Sequence, residues 1–416
     1  MHGQLKPLPA VRANLSIDSP VTVAWANSAA EVPDAVWAQC FPPPLEGRWW
    51  YLALEKAGLE DQFLFAYAII RRNGQAIGLA PAFRMDLAVE IVVPDALVPI
   101  VRATNKVLPF LRYQRTWFVG SPCSDEGTVG LVPGVRLAEV LPALSAALEA
   151  RAKASKAHMI VWKDMPEEAA AELRAFARSA KLFEVPSFPG TVVRAPGKSF
   201  ETYLARLTAK KRYALKKKLS ASRSEIQLDC EIVRKPDAAT HDEIWRLFEK
   251  TYEKATTRFE KLTPAFFPAI ADGEGVSFLL LRECESRKLV AFMLCFYERE
   301  RAINKFIGID YAVGKNAFLY FRLWEEFVKW ATAQGATELQ SGQTSYSAKL
   351  DLGHELLPLT NFSRHRVGFM NALYAFVGRF ITWSTLDKDL KTHVEAQARK
   401  SEKSVAGGGA ASADKK

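Results

Sequence analysis

Two short stretches hold residues whose types and spacing could do chemistry. The first is Gly308-Ile309-Asp310 followed by Tyr311-Ala312-Val313-Gly314-Lys315-Asn316-Ala317. A glycine-containing turn that opens a helix aims free backbone N–H groups and the positive end of the helix dipole outward. Lys315 and Asn316 beside Gly314 would reinforce an anion site there, although ordinary helix capping leaves the same signature. The second stretch spans 340–353, Gln-Ser-Gly-Gln-Thr-Ser-Tyr-Ser-Ala-Lys-Leu-Asp-Leu-Gly. It is a small-polar loop at the carboxyl end of a buried strand, where open α/β sheets place their ligands; a plain connecting loop is the alternative. The standard catalytic sets are missing from the sequence: no HExxH, no GxSxG, no Walker loop and no GxGxxG after a strand. The histidines at 2, 158, 241, 354, 365 and 393 include no pair at metal-ligand spacing, so no metal is expected.

The elements that must position these stretches recur in one order. Residues 63–70 read as a strand, Asn73-Gly74 as a hairpin turn, and 76–83 as the returning strand. A helix over 135–157 and a buried strand over 158–162 follow. In the second half, strands are expected over 277–281, 289–297 and 302–309. A helix over 317–334 closed by Gly335, and a strand over 337–340, complete the order. The repetition predicts a duplicated α/β unit with an insertion at 87–118 in its first copy; two unrelated α/β domains are the alternative.

Between the copies, 200–224 reads as one amphipathic helix with a very basic face. It carries Arg206, Lys210, Lys211, Arg212, Lys216, Lys217, Lys218 and Arg223, with no acid from Thr202 to Ser224. Like charges at i, i+4 repel by a few tenths of a kcal/mol per pair, so a one-signed face favours an anionic partner over simple solvation. The chain as a whole, 416 residues with 56 Lys and Arg against 46 acids, has a net charge of +10 and leans the same way. At 49 % apolar and 25 % charged it excludes collagenous, coiled-coil and wholly disordered classes. Five cysteines without CxxC spacing read as reduced thiols of a cytosolic protein. Neither a secretory leader nor a run long and apolar enough to span a membrane is expected.

The stretch 200–217, FETYLARLTAKKRYALKK, resembles the signature F-xx-yL-xx-LS-x-K-x-R-xx-I-R-K of FemAB-like and CelD-like members of the GNAT acyltransferase superfamily, where it bridges two tandem GNAT folds. Thr257-Arg258 ahead of Leu262, Thr263, Phe266 and Phe267 fits the same pattern. So do the strand at 289–296, the helix at 318–330, the loop at 342–353, and the first-half segments 48–55 and 77–83. The resemblance covers roughly residues 20–370. It departs from the simple GNAT pyrophosphate loop [RQ]xxGx[GA], of which 311–317 keeps one glycine and a basic residue.

The resemblance implies an α/β (mixed-sheet) fold of two tandem GNAT-like domains. Residues 1–19 would be an extension, 20–199 the first domain, 200–224 the basic bridge and 225–368 the second domain, which holds the acyl-transfer groove. A C-terminal aromatic and basic helix over 369–400 and a disordered tail over 401–416 would follow. It implies transfer of an acyl group, in preference to an aminoacyl group, to an amine. The donor would be a phosphate-bearing co-substrate, acyl-CoA, acyl-carrier protein or aminoacyl-tRNA, with no permanently bound cofactor. The acceptor would be a small-molecule, glycan or lipid amine of cell-envelope or polysaccharide synthesis. On this reading Lys349 contacts the acceptor or a donor phosphate, Tyr346 gives a proton to the leaving group, and Asp310 is the general base. Arg258, Lys305, Lys210, Lys211 and Arg212 join Gly314, Lys315 and Asn316 as donor or anion contacts. A catalytically silent sensor of an anionic metabolite is the alternative. The expected location is cytoplasmic, with peripheral contact at the inner membrane face through 369–383 left open and no specific DNA binding.

Overall fold

The computed structural model describes residues 20–88, 99, 102, 103, 106, 112–255 and 260–410. The first half folds as β1 (Val21–Ala26), α1 (Asp34–Cys40), α2 (Arg48–Lys56), β2 (Leu64–Arg72), β3 (Gln75–Ala88), β4 (Tyr113–Val119), β5 (Gly130–Leu131), α3 (Leu137–Ala154), β6 (Met159–Pro166), α4 (Glu167–Ala180), β7 (Phe183–Pro186) and β8 (Gly190–Arg194). The basic segment then forms two helices, α5 (Phe200–Arg206) and α6 (Ala209–Glu225), instead of the single one expected. Thr208 divides them: its side chain accepts the Lys211 amide and caps a new helix. The second half follows as β9 (Leu228–Val233), α7 (Ala238–Lys254), α8 (Phe266–Ile270), β10 (Val276–Glu283), β11 (Leu289–Glu298), β12 (Arg301–Ile309), α9 (Leu319–Gln334), β13 (Glu338–Ser341), α10 (Tyr346–Asp351), β14 (Glu355–Leu357) and β15 (Leu359–His365). The chain closes with α11 (Gly368–Gly378), α12 (Trp383–Leu386) and α13 (Lys388–Ala410). The tail expected from 401 is helical to Ala410, although Gly407, Gly408 and Gly409 are poor helix formers.

The duplication is visible strand by strand. One sheet runs β1-β2-β3-β4-β6-β15-β7, with β5 added on β3, and the other β9-β10-β11-β12-β13-β8-β14 in mirrored listing of the same roles. In each, four antiparallel strands are followed by one parallel partner: β6 beside β4, and β13 beside β12. The parallel step needs a crossover, supplied by α3 in one copy and α9 in the other. α9 ends where expected, on Gly335 at φ 89°, whose amide bonds the carbonyls of Ala331 and Thr332. The ends of the expected insertion, 87–88 and 113–118, are paired strand of β3 and β4.

The sixth position of each sheet corrects the expected domain boundaries. β8, from the first half, lies between β13 and β14, and β15, from the second half, lies between β6 and β7. Each half lends a strand to the other. Proline removes a backbone donor, and Pro186, Pro189 and Pro358 sit in or beside the turns after β7 and β14, where the chain leaves one sheet for the other.

The halves also share a core. Trp50 of α2 is fully buried with its ring centroid 5.7 Å from Phe296 of β11 and 6.4 Å from Phe266 of α8. Trp49 meets Phe296 edge-on at 5.3 Å. The outer faces carry separate cores, under α3 and α4 on one sheet and under α5, α6 and α9 on the other. Cys40 and Cys295 are buried, Cys123 and Cys230 half-buried and Cys284 exposed, all as free thiols.

α7 crosses β12 at Gly308 with no room for a side chain. A Cβ there would sit 2.3 Å from the Phe292 ring and 2.7 Å from the Leu247 carbonyl carbon. Gly308→Ala is expected to cost about 1–3 kcal/mol through this overpacking. A urea midpoint unchanged from wild type would refute that contact.

Candidate active site

β12 and β13 pair in parallel from Arg301 and Glu338 to Asn304 and Ser341, and there they part. Asn304 Nδ2 bonds Ser341 Oγ at 2.6 Å across the last pair. β12 continues to Ile309, whereas β13 stops. At the same point β12 carries a bulge. Leu294 of β11 faces Phe306 and Cys295 faces Asn304, which leaves Lys305 as the extra residue. A bulge re-aims its side chain out of the simple alternation, which is why the pattern of 305 and 306 does not reveal where Lys305 points.

It points into the seam between the halves. Lys305 Nζ lies 2.8 Å from Glu46 Oε1 and 2.9 Å from Asp125 Oδ2, over the Trp50 ring at 4.9 Å, with the side chain 1 % exposed. Glu46 precedes α2, and Asp125 follows β4. Burial alone would lower the Lys305 pKa, but Asp125 and Glu46 outweigh it and hold the ammonium above its ordinary range. Beside it, Gln340 links Arg301 (3.1 Å) to Glu126 (3.0 Å).

Lys349, on α10, closes the other side of the parting. Its ammonium donates to the Gly342 carbonyl. Gly342 in turn lies against Asp125, since an added Cβ would be 3.2 Å from Oδ1. Burial pushes the Lys349 pKa down to about 8, with Asp125 pulling the other way. His354 is buried against Trp324, ring centroids 4.8 Å apart, and its ring nitrogens make no hydrogen bond of normal geometry. Burial, then the charges of Lys349 and Lys211, keep His354 neutral. Lys305, Asp125, Gly342, Lys349 and His354 thus form one contiguous polar cluster where the strands separate.

The structure moves several expected roles. Lys305 is not free to bind a donor anion, because two carboxylates and burial already commit its ammonium. Tyr346 is no open proton donor: it is buried, gives its hydroxyl to the Pro189 carbonyl at 2.9 Å, and its pKa is raised by burial. Asp310 is not poised as a base. It is 3 % exposed, bonds Lys288 at 2.7 Å and the Ala312 amide at 3.1 Å, and these partners overcome burial to hold its pKa below the ordinary value. Gly314, Lys315 and Asn316 lie in exposed short-helical turns leading into α9, whose first turn has no side-chain cap. Arg258 lies outside the described residues.

α6 joins the two stretches singled out in the sequence. Near its C-terminal end Ser222 Oγ donates to the Ala317 carbonyl, beside the 314–316 turn. Toward its N-terminal end Lys211 is close enough to depress His354. Lys218 pairs with Asp351 at 3.3 Å and Arg223 with Glu325 at 2.6 Å. Lys210, Lys211, Arg212, Lys216 and Lys217 have no carboxylate partner among the described residues.

A family model for peptidoglycan biosynthesis and recognition proteins, FemAB-like, matches residues 133–401. The chain belongs to the FemAB-like family. FemX, at 10 % identity, superposes with a TM-score of 0.52 over 78 % of this FemAB-like chain and 93 % of its own, a likeness of fold. A tandem GNAT protein from the clavulanic acid biosynthesis pathway gives 0.47 at 10 % identity, covering 83 % and 98 % of the two chains. L-PGS from Bacillus licheniformis gives 0.45 at 12 % identity, covering 64 % and 82 %. The fold of this FemAB-like protein is like that of FemX, with two mixed sheets built on one repeated strand order. No curated protein matches its sequence.

Sequence reasoning missed Glu46, Asp125, Glu126, Arg301, Gln340 as a bridge, and His354. A usable signal existed for Asp125. The loop 120–127, Gly-Ser-Pro-Cys-Ser-Asp-Glu-Gly, is a small-polar loop at the carboxyl end of β4, the same position that drew attention to 340–353. Among the described residues no group of His, Cys, Asp and Glu could hold a metal ion.

Proposed function

We propose that this FemAB-like protein transfers an acyl or aminoacyl group from a phosphate-bearing donor to an amine in cell-envelope synthesis, at the parting of β12 and β13. The observation that carries this reading is the polar cluster where the strands part, with Lys349 buried beside Gly342 and Asp125 and its ammonium on the Gly342 carbonyl; burial also draws its pKa down to about 8. In its deprotonated form, which such a pKa brings within reach at mildly alkaline pH, the amine of Lys349 can take the proton that an attacking amine must lose as its nitrogen bonds the acyl carbon; the donor's ester or thioester oxygen or sulfur leaves with the electron pair. The exposed cations of α6 and the 314–316 turn supply the counterpart for phosphates. α6 spans about 25 Å at 1.5 Å per residue, which suits a long polyanionic donor better than a single phosphate. Acyl-CoA, acyl-carrier protein and aminoacyl-tRNA all meet that description, and the family match gives no ground for the earlier preference against aminoacyl donors.

A silent binding protein is the second reading, favoured by the internal commitments of Tyr346, Asp310 and Lys305. A thermal-shift panel with CoA, acetyl-CoA, longer acyl-CoAs and bulk tRNA separates the two. Ligand at 100 times its dissociation constant adds about 2.7 kcal/mol. One acyl-CoA class or tRNA stabilising the protein at moderate salt supports transfer and names the donor class. Stabilisation by free CoA but by no acylated form or tRNA favours the sensor. No shift with any of the four rejects acyl-CoA and free tRNA as donors.

A further inference from the structure

α11 presents an apolar stripe to the outside. Phe369 is 77 % exposed, Leu373 42 % and Phe376 56 %, at the three- and four-residue spacing of one helix face, and Phe380, in the turn that follows the helix, is 59 % exposed. The opposite face is already used. Asn371 bonds the Lys181 carbonyl at 3.1 Å, Tyr374 packs on His365 at 5.7 Å, and Gly378 is buried against Val185. The stripe is therefore not a core face that happens to be tilted outward.

Charge decides what covers it. From 356 to 386 the chain has no acidic residue but has Arg364, Arg366 and Arg379. Arg366 precedes the stripe and Arg379 lies within it, next to Phe380, while exposed Lys181 lies on the docked side, where its carbonyl takes the Asn371 bond. The acids of the adjoining elements are occupied: Glu184 of β7 by Arg174 at 2.9 Å, and Glu149 of α3 by Arg364 at 2.8 Å. Arg366 gives one guanidinium N–H to the Ala157 carbonyl at 3.0 Å, and neither it nor Arg379 pairs with a carboxylate among the described residues; exposed aromatic and aliphatic side chains beside such cations match a surface that is apolar beneath and anionic above. Among the described residues no helix is long and apolar enough to cross a membrane. α11 would therefore lie in the interface plane.

We propose that α11 is a docking face for an anionic lipid bilayer, with Phe369, Leu373, Phe376 and Phe380 entering the headgroup–acyl boundary and Arg366 and Arg379 meeting lipid phosphates. This stands independently of the transferase reading. The test is flotation of the full chain with phosphatidylglycerol-containing and pure phosphatidylcholine vesicles. Binding is expected to the anionic vesicles, with much less to the neutral ones. R366Q and R379Q should each weaken partition about fivefold, the equivalent of about 1 kcal/mol per cation near an anionic surface. F369S/F376S should abolish flotation while leaving the melting temperature unchanged, because both side chains already face out. No flotation of the wild-type chain overturns the proposal. So does a wild-type dimer, by light scattering, that F369S/F376S converts to monomer, since the stripe would then be a self-contact. A fall in melting temperature for F369S/F376S, without a change in flotation, would assign the stripe to the chain's own packing.

Discussion

Lys305→Met is expected to destabilise the fold by about 3–5 kcal/mol, the range for removing one partner of a buried ion pair. The ammonium it removes sits between Glu46 and Asp125, whose side chains are only 15 % and 12 % exposed. Left without it, two neighbouring carboxylates would face each other in the seam that joins the halves. Both desolvation and mutual repulsion then favour their protonated forms. The sign of the pH dependence follows. Carboxyls whose folded pKa is raised bind more protons in the folded state, so the variant should lose more stability than the wild type as pH rises from 4 to 7. Replacing all three groups, K305M/E46Q/D125N, should recover most of the loss, because the penalty comes from uncompensated charge more than from a missing attraction. Urea unfolding at pH 5 and pH 7 measures each. A loss below about 1 kcal/mol for Lys305→Met at pH 7 would place the triad among the weak, solvated pairs.

Lys349→Met should act in the opposite direction on stability while removing activity. The lysine pKa falls from 10.5 to about 8 on folding, which corresponds to roughly 3 kcal/mol against the charged form. Between those two values the unfolded chain binds the extra proton, so wild-type stability rises with pH from about 8 to about 10 and is lowest below 8. Methionine fills a similar volume with no charge. The variant should match or exceed wild-type stability at pH 7, and the gap should close as pH climbs through that window. Turnover with the donor class named by the ligand panel should fall about a hundredfold or more, as expected for a lost proton acceptor. The wild-type rate should rise with pH toward a plateau above 8, and the residual rate of the variant should lack that limb. Wild-type turnover in Lys349→Met would falsify the base assignment, and an unchanged pH–stability curve would show that the lysine is not buried as a cation.

The repeated order of strands and helices was legible because each element announces itself locally. Asn73-Gly74 sets a hairpin, Gly335 ends α9, and nearly unbroken apolar runs mark β2, β3, β10 and β11. The pairing of β8 with β13 and of β15 with β6 was not, because nothing in a strand's own periodicity names a distant partner. The site divided along the same line. Lys349 and Lys305 stood out beside a strand end, yet their acids lie some 180 to 260 residues earlier in the chain, as the separations of the Lys305 bonds show. The bulge that re-aims Lys305 has no mark in the sequence. Asp310 and Tyr346 carried the right functional groups, but burial and internal bonds took them out of service. α10 read as loop because a six-residue helix is too short to show a period.

The exchanged strands set an order on biosynthesis. As the first half leaves the ribosome, β6 and β7 stand on either side of an unfilled slot, and β8 has no sheet to enter. The slot stays open through the synthesis of β9 to β14, with two unpaired ladder edges exposed to any other extended chain. Only when Leu359–His365 emerges can the earlier sheet close, and by then β8 has its own place beside β13. The nascent protein therefore completes both sheets together and late, and a chain halted near its middle would hold neither.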